Sequence, residues 1–437
     1  MHRNRSKLFI FILILGFLNS CGQKSDVEKA EGTVTVQIPL QESASSYRLQ
    51  NVDLKGVQNL KEVSGDFARF FFSPGLVDSQ LTGSSPIAHF AKAGPIFYPL
   101  DYVSTQMATI YFHMQSLASL DQSVGAAGIN HWPRSIGLET QITEGSGIKN
   151  NNAFYDGVTD AMMFVPFTQT DLPISVNAGI IAHEHFHSLF YKIVIKKVLA
   201  NNKIGFSVVS THPDPVLIEA EPKKMQRPPK MISEKSKASL YNEVYIRGLN
   251  EGLADFWGWL YTEDPDFMKW SLPAFIQSRT LSLDHATAGE YLTQDDIKND
   301  IAEMVLKTDA PRAQLVNYYK IGTPHARFLK EWVKLYADDN GIGISESKIA
   351  IAKKIVVYLP NLEKTISALN ENELLKATHF FQYFADDQTH NLKLSKKSCD
   401  FLTQYLNFQK VNANELSHCV EKENSIVLQT NMTKPVP

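Results

Sequence analysis

The stretch Ile180-Ile181-Ala182-His183-Glu184-His185-Phe186-His187-Ser188-Leu189-Phe190 constrains this chain more than any other. Its apolar flanks suit a buried helix, and every ring and carboxylate that such a helix carries inward needs a partner. Within it, His183, Glu184 and His187 spell H-E-x-x-H. Residues four apart on an α-helix lie about 6 Å from each other on one face, so the two imidazoles can bite one zinc ion. Glu184, about 100° further round, can reach a water on that ion. His185 falls on another face and reads as a packing residue or as a support to a ligand. Chance alone gives the pattern in about one chain in a hundred of this length, so its weight depends on two further stretches.

The first of these is Asn250-Glu251-Gly252-Leu253-Ala254-Asp255. A hydrolytic zinc site takes three protein ligands and keeps one position open, and two histidines with a glutamate are an established set. Glu251 and Asp255 are four apart on an expected helix and face one way. Glu251 can ligate the metal, and Asp255 can accept the N–H of a ligating imidazole and fix its tautomer. The other stretch is Asn151-Asn152-Ala153-Phe154-Tyr155-Asp156-Gly157, followed by Ala161-Met162-Met163-Phe164-Val165-Pro166. It reads as a β-hairpin turning at Asp156-Gly157, with Pro166 suited to the end of an edge strand. An edge strand beside a metal helix offers unpaired backbone groups to an extended peptide.

With the three stretches in this order, residues 100–332 resemble the thermolysin-type gluzincin zinc metallopeptidases and their fungalysin-like relatives. The resemblance implies an α+β fold, with a mixed sheet and the H-E-x-x-H helix in an N-terminal lobe. A mostly helical C-terminal lobe would follow, with the cleft between the two. It implies one Zn2+ per chain on His183, His187 and Glu251, Asp255 supporting a ligand, and Glu184 as general base in peptide-bond hydrolysis. Asn152 and Ala153 would hold the substrate main chain, and Tyr155 stands where the family carries an aromatic. Gln277-Ser278-Arg279-Thr280-Leu281-Ser282 resembles the family segment whose arginine binds the substrate carbonyl, here Arg279. The donor to the oxyanion is Tyr318 or Tyr319 if Gly322 matches a family glycine, with Tyr319 favoured on spacing. It is His325 if the match is by residue type, and Tyr241 and Tyr245, before the third-ligand helix, are weaker alternatives for a second donor. The separation of Glu251 from His187 exceeds that of thermolysin-like enzymes, and a Pro- and Lys-rich insertion at 200–240 accounts for it.

The N-terminus reads as an export signal over residues 1–20, with Arg3, Arg5 and Lys7 before an apolar run at 8–17. Leu18-Asn19-Ser20-Cys21 resembles a bacterial lipobox with Cys21 as the lipidated residue, and an ordinary signal-peptidase site is the alternative. Gly22 follows, not the aspartate that resembles an inner-membrane retention signal, so the implied location is the cell envelope, anchored to the outer membrane. A tether at 21–32, a strand-containing region at 33–95, a catalytic lobe at 96–260 and a helical lobe at 261–437 complete the organisation. Strands are expected at 33–38, 68–72 and 136–142, and helices at 100–120, 295–307, 349–359, 362–369 and 374–385. Cys399 and Cys419 read equally as a disulfide or as two buried thiols. His113, His212, His379, His390 and His418 lack ligand spacing. A net charge of −3 gives no reason to expect nucleic acid. The expected partners are a peptide or protein substrate and a membrane reached through lipid on Cys21, with the chain a monomer. Two other functions fit the same residues: a catalytically silent peptide- or partner-binding lipoprotein, and a zinc amidase acting on cell-wall peptides.

Overall fold

A computed structural model describes residues 32–44, 46–77, 80–144, 147–148, 150–201, 216–217, 234–282, 295, 298–299, 318–370, 372–376, 378–385 and 394–408. The export signal with Cys21, His212, His390, His418, Cys419, most of the insertion and most of the helix expected at 295–307 lie outside these residues.

The chain opens with β1 (Gly32–Ser43), in which Val34, Val36, Ile38 and Leu40 are buried while the residues between them are more open. That period of two places one face of the strand on the core. β1 pairs antiparallel with β2 (Ser46–Asn59), which pairs with β3 (Ser64–Gly65). β7 (Phe90–Ala93) and β8 (Ile96–Pro99) complete a five-stranded sheet ordered β3-β2-β1-β8-β7. The sheet nearer the site is built from β4 (Ala68–Phe72), β9 (Arg134–Leu138), β12 (Ala153–Asp156) and β13 (Ala161–Phe164), in the order β12-β13-β9-β4. It is mixed: β12 and β13 form the antiparallel hairpin, and β13 and β4 both run parallel to β9. Small pairings are made by β5 (Gly75–Val77) with β6 (Gln80–Thr82), and by β10 (Ile142–Glu144) with β11 (Gly147–Ile148) and β14 (Val216–Leu217).

Helix α1 (Tyr102–Val124) starts at Asp101, whose carboxylate accepts the Ser104 N–H at 2.7 Å, and stops at Gly125 with φ 81°. The second helix, α2 (Ala178–Phe190), carries H-E-x-x-H, and all of its residues are buried. Its N-cap Asn177 accepts the N–H groups of Gly179 and Ile180 at 3.0 and 3.2 Å, so a start buried in protein leaves those donors satisfied. The chain runs on through a π-helical turn, Tyr191–Ile195, into α3 (Lys196–Asn201). After it come α4 (Glu234–Thr262), α5 (Ile276–Arg279), α6 (Tyr318–Asn340), α7 (Ile344–Ala368), α8 (Thr378–Ala385) and α9 (Lys396–Phe408). The molecule is therefore α+β, with mixed sheets in its first half and a mostly helical C-terminal part.

Glycines bring the helices of the site together. A Cβ on Gly252 of α4 would lie 2.1 Å from the carbonyl oxygen of Gly322 in α6, and one on Gly322 would lie 2.4 Å from that of Gly248. Only hydrogen fits there, so the backbones of α4 and α6 touch.

Several elements differ from expectation. The helices expected at 349–359 and 362–369 are one, α7, which runs straight through Pro360. A proline removes one backbone hydrogen bond but does not stop a helix that packs well on both sides of it. The strand at 136–142 is β9, which starts and ends earlier, and Thr140 instead joins β13 through its N–H to Phe164 O at 2.9 Å. Residues 234–239, expected in the insertion, form the first turns of α4. Cys399 is disulfide-bonded.

Candidate metal centre

Helix α2 lies between β12 on one side and α4 on the other. From α2 come His183 and His187, 1 % and 0 % exposed, and from α4 comes Glu251 at 3 %. Their ligating atoms all lie within 4.8 Å of one another. His183 Nε2 and His187 Nε2 are 2.9 Å apart, and Glu251 Oε2 and Oε1 lie 3.5 and 3.7 Å from them respectively. Tetrahedral ligands at zinc distances stand about 3.4 Å from each other. Each Glu251 oxygen stands near that distance from one of the two imidazoles, and the imidazole pair reaches it by opening about 0.5 Å. The residues thus fit a single metal ion.

The other side of His183 is fixed as well. Its Nδ1 sits 3.0 Å from Asp255 Oδ1, one turn beyond Glu251 on α4. Nδ1–H donates to the carboxylate, which leaves Nε2 to face the metal. Burial alone would strip charge from this ring, but its hydrogen bonds to Asp255 and Glu251 outweigh that, and opposition from Arg279, and raise the pKa to about 9. Without metal the ring is a cation at neutral pH.

Arg279, at the end of α5, closes the cluster. Its Nε and Nη2 donate to Oδ2 and Oδ1 of Asp255 at 3.2 and 2.5 Å, and Nη2 lies 3.6 Å from Glu251 Oε2. Burial works against its charge, yet Asp255, Tyr319 and Glu251 hold it firmly protonated. Its guanidinium stacks 4.1 Å over the ring of Tyr319, in the first turn of α6. Burial raises the Tyr319 pKa; Arg279 opposes this, and the charges of Glu251, Asp255 and Glu184 add to it. Tyr319 is thus a neutral hydroxyl close to Glu251, Asp255 and Glu184. Glu184 itself is 2 % exposed, beside His183 in α2.

The structure thus gathers His183, His187, Glu251, Asp255, Arg279 and Tyr319, with Glu184 alongside. His325 stands apart. Its Nδ1 donates to Ile321 O at 2.7 Å and its Nε2 accepts from the Tyr245 hydroxyl at 3.1 Å. Phe380 and Phe381 pack on its ring, and burial lowers its pKa to about 4. It is a neutral core histidine in the helical part. Tyr245 is engaged with it, and Tyr241 stacks on Tyr245 with 5° between the ring planes. Tyr318 is buried beneath Arg247.

Asn152 and Ala153 lead into β12, which is an edge strand, since among the described residues it pairs with β13 alone. Tyr155 points into the core: it is fully buried, its hydroxyl donates to Asp160 Oδ1 at 3.0 Å, and its ring packs edge-on against Tyr191.

A second polar group lies on the far face of α2, of which the sequence reading named only His185, as a packing residue or a support to a ligand. His185 Nε2 lies 2.9 Å from Asp121 Oδ1 of α1, and its ring stacks on Trp132. Asn130 Oδ1 accepts from Ser188 Oγ, Lys192 Nζ and Arg134 Nη1 at 3.0, 3.1 and 3.0 Å. Arg134 and Lys192 both reach Asp160, the acceptor of the Tyr155 hydroxyl. These bonds tie the metal helix to the β12 hairpin. Beyond His185 the sequence carried no signal for it, since Asp121 falls just past the helix expected at 100–120 and is followed by the polar Gln122 and Ser123.

No protein-family model matches the chain, and no curated protein matches it. No helix among the described residues is long and apolar enough to cross a membrane.

Proposed function

We propose that this protein is a zinc-dependent metallopeptidase of the gluzincin type, arranged as in thermolysin, exported and lipid-anchored in the cell envelope through Cys21. The observation that carries the proposal is the convergence of two imidazole nitrogens and one carboxylate, all buried, next to a buried glutamate on the same helix. Zinc held by His183, His187 and Glu251 would supply a Lewis acid that acidifies a water and polarises the scissile carbonyl.

The rest falls to the chain's own side chains. An extended peptide adds to the free edge of β12, so that backbone groups at Asn152 and Ala153 fix its register. Glu184 takes the proton of the attacking water and delivers it to the leaving amine, a role for a carboxylate held out of bulk solvent. Tyr319, kept neutral, donates its O–H to the charge growing on the carbonyl oxygen, worth about 3–4 kcal/mol for one such donor. Arg279 clamps Asp255, which in turn orients His183, so its position serves the ligand set as well as any substrate carbonyl.

The test is Glu184→Gln. The variant keeps the three metal donors and loses the base, so cleavage of a diverse peptide library, read by mass spectrometry, falls at least about 100-fold while bound zinc is unchanged. Equal cleavage by the two proteins contradicts the mechanism. Wild type that holds zinc but cuts neither library nor cell-wall peptides replaces the peptidase reading with a binding one. Cell-wall peptides cut in preference to the library redirect it to an amidase.

A further inference from the structure

One carboxylate joins the edge strand to the helix that carries the two histidines. Asp160 stands at the end of the hairpin turn, one residue before β13. Its Oδ1 accepts from the Tyr155 hydroxyl at 3.0 Å and from Arg134 Nη1 at 3.1 Å, and its Oδ2 accepts from Lys192 Nζ at 2.7 Å. The donors come from three elements: Tyr155 from β12, Arg134 from β9 and Lys192 from the π-helical turn that continues α2. Among the described residues no other carboxylate lies within ion-pair distance of Arg134 or Lys192. Burial works against the charge of Asp160, but Arg134, Lys192 and the Tyr155 hydroxyl outweigh it and lower its pKa. Burial and the charge of Arg134 lower Lys192 to about 8, so at pH 7 Asp160 faces two cations.

The strand held in this way is the one a peptide would join. The Val165 N–H donates to Asn152 O at 3.0 Å, which makes these two a hydrogen-bonded pair across the hairpin. Such pairs alternate along an antiparallel ladder, so backbone groups of Ala153 and Tyr155 turn to the free edge. Tyr155 therefore offers its main chain outward while its side chain is fixed inward. Its ring lies beneath the Arg134 guanidinium at 5.7 Å and edge-on to Tyr191 at 5.8 Å. On the helix side, Ser188 follows His187 directly, and its hydroxyl shares the Asn130 acceptor with Lys192 and Arg134. Without the charge of Asp160, Arg134 on the sheet and Lys192 on the helix would be two cations with only a neutral amide between them. Repulsion between partly buried charges is screened little, and here it would push sheet and helix apart. A reacting bond misplaced by about 1 Å can lose about 100-fold in rate.

We propose that Asp160 is a positioning residue, which sets the β12 edge against His183 and His187 so that a paired peptide brings its bond to the metal. The inference rests on the peptidase reading for its effect on rate, and the test keeps the two apart.

Asp160→Asn removes the charge and little else, because the residue sits at φ 51° and asparagine adopts that conformation as aspartate does. Crystal structures of zinc-loaded wild type and variant are compared. Both kcat and KM are measured at pH 7 on a library peptide that wild type cleaves. The expected result is a displacement of the Ala153 and Tyr155 backbone by about 1 Å relative to the two imidazoles, with kcat lowered about 10–100-fold. KM and zinc content should change less than about twofold, because the edge still pairs and the metal donors are untouched. Lys192→Met, which removes the helix-side partner alone, should give the same pattern at smaller size. A purely structural role predicts instead that kcat, KM and zinc content fail together as the folded fraction drops. That outcome, an unmoved strand, or an unchanged kcat in Asp160→Asn overturns the proposal. If wild type cleaves nothing, the peptidase reading fails alone; a displaced strand then upholds the role of Asp160 in placing the edge, and an unmoved one overturns it.

Discussion

Asp255 touches no metal donor atom except through His183, yet it sets what that ring can do. Its carboxylate holds Nδ1 at 3.0 Å and helps to lift the pKa of the metal-free imidazole to about 9. Metal must displace that proton, so uptake releases protons and apparent affinity weakens as pH falls below about 9. The same shift gives the metal-free protein stability that is fully present below about pH 6.5 and lost as pH rises through 9. Asp255→Asn weakens both effects, leaving the share that Glu251 contributes, and removes the orienting charge. Metal affinity measured against a competing chelator should drop about 10–100-fold, with a flatter pH dependence. An unchanged affinity would mean that the ring is oriented by something else. At this scale much was legible: H-E-x-x-H and the N-E-x-x-x-D spacing fixed which residues share a helix face, and that sufficed for the cluster. Tyr319 against His325 was not decidable, because six residues along one helix separate two faces by a rotation that only the packing of α6 orients. Tyr155 was placed by resemblance at the substrate strand, and its inward aim depends on Asp160 across the hairpin.

At the scale of elements, the site is made by helices that approach more closely than side chains allow. Gly252→Ala tests this. Alanine gains about 1 kcal/mol of helix propensity over glycine. Against that, its methyl would lie 2.1 Å from Gly322 O, a backbone atom that cannot swing aside. Overpacking costs about 3 kcal/mol at the upper end of its range, so the net loss is about 2 kcal/mol in denaturant unfolding. A neutral or stabilising result would show that α4 and α6 have room to separate. The sequence carried this contact only as Gly248 and Gly252 four apart in a helical pattern, a signal of close packing that does not name Gly322.

Helix α6 also carries the acid response of the helical part. Burial lowers His325 to about 4 and His113, on α1, to about 3. Between those values and about pH 6.5 the unfolded chain binds protons that the folded one refuses, so stability rises with pH across this window and falls on acidification. His325→Gln should flatten the fall of melting temperature between pH 6.5 and 4. A slope equal to wild type would place the acid sensitivity elsewhere. The expectation of helices ending before Pro360 failed for a related reason: tertiary packing along α7 overrode a local breaker.

Taken whole, the molecule sets the H-E-x-x-H helix between an edge-strand sheet and a helical half, and supports that helix from both faces. One face holds the ligands with Asp255, Arg279 and Tyr319; the other holds His185, Asn130 and Ser188. The α+β class was legible because strand and helix periods separate cleanly along the chain. The support on the far face was not, because its bonds join residues distant in sequence, such as Asp121 to His185. The central claim is that His183, His187 and Glu251 hold one zinc ion. The most direct measurement is elemental analysis together with X-ray absorption on the protein reconstituted with zinc under folding conditions. One zinc per chain, bound by two imidazoles and a carboxylate and lost in Glu251→Ala, is the result expected. Less than about a tenth of an equivalent in folded wild type, or a full equivalent retained in Glu251→Ala, would contradict it.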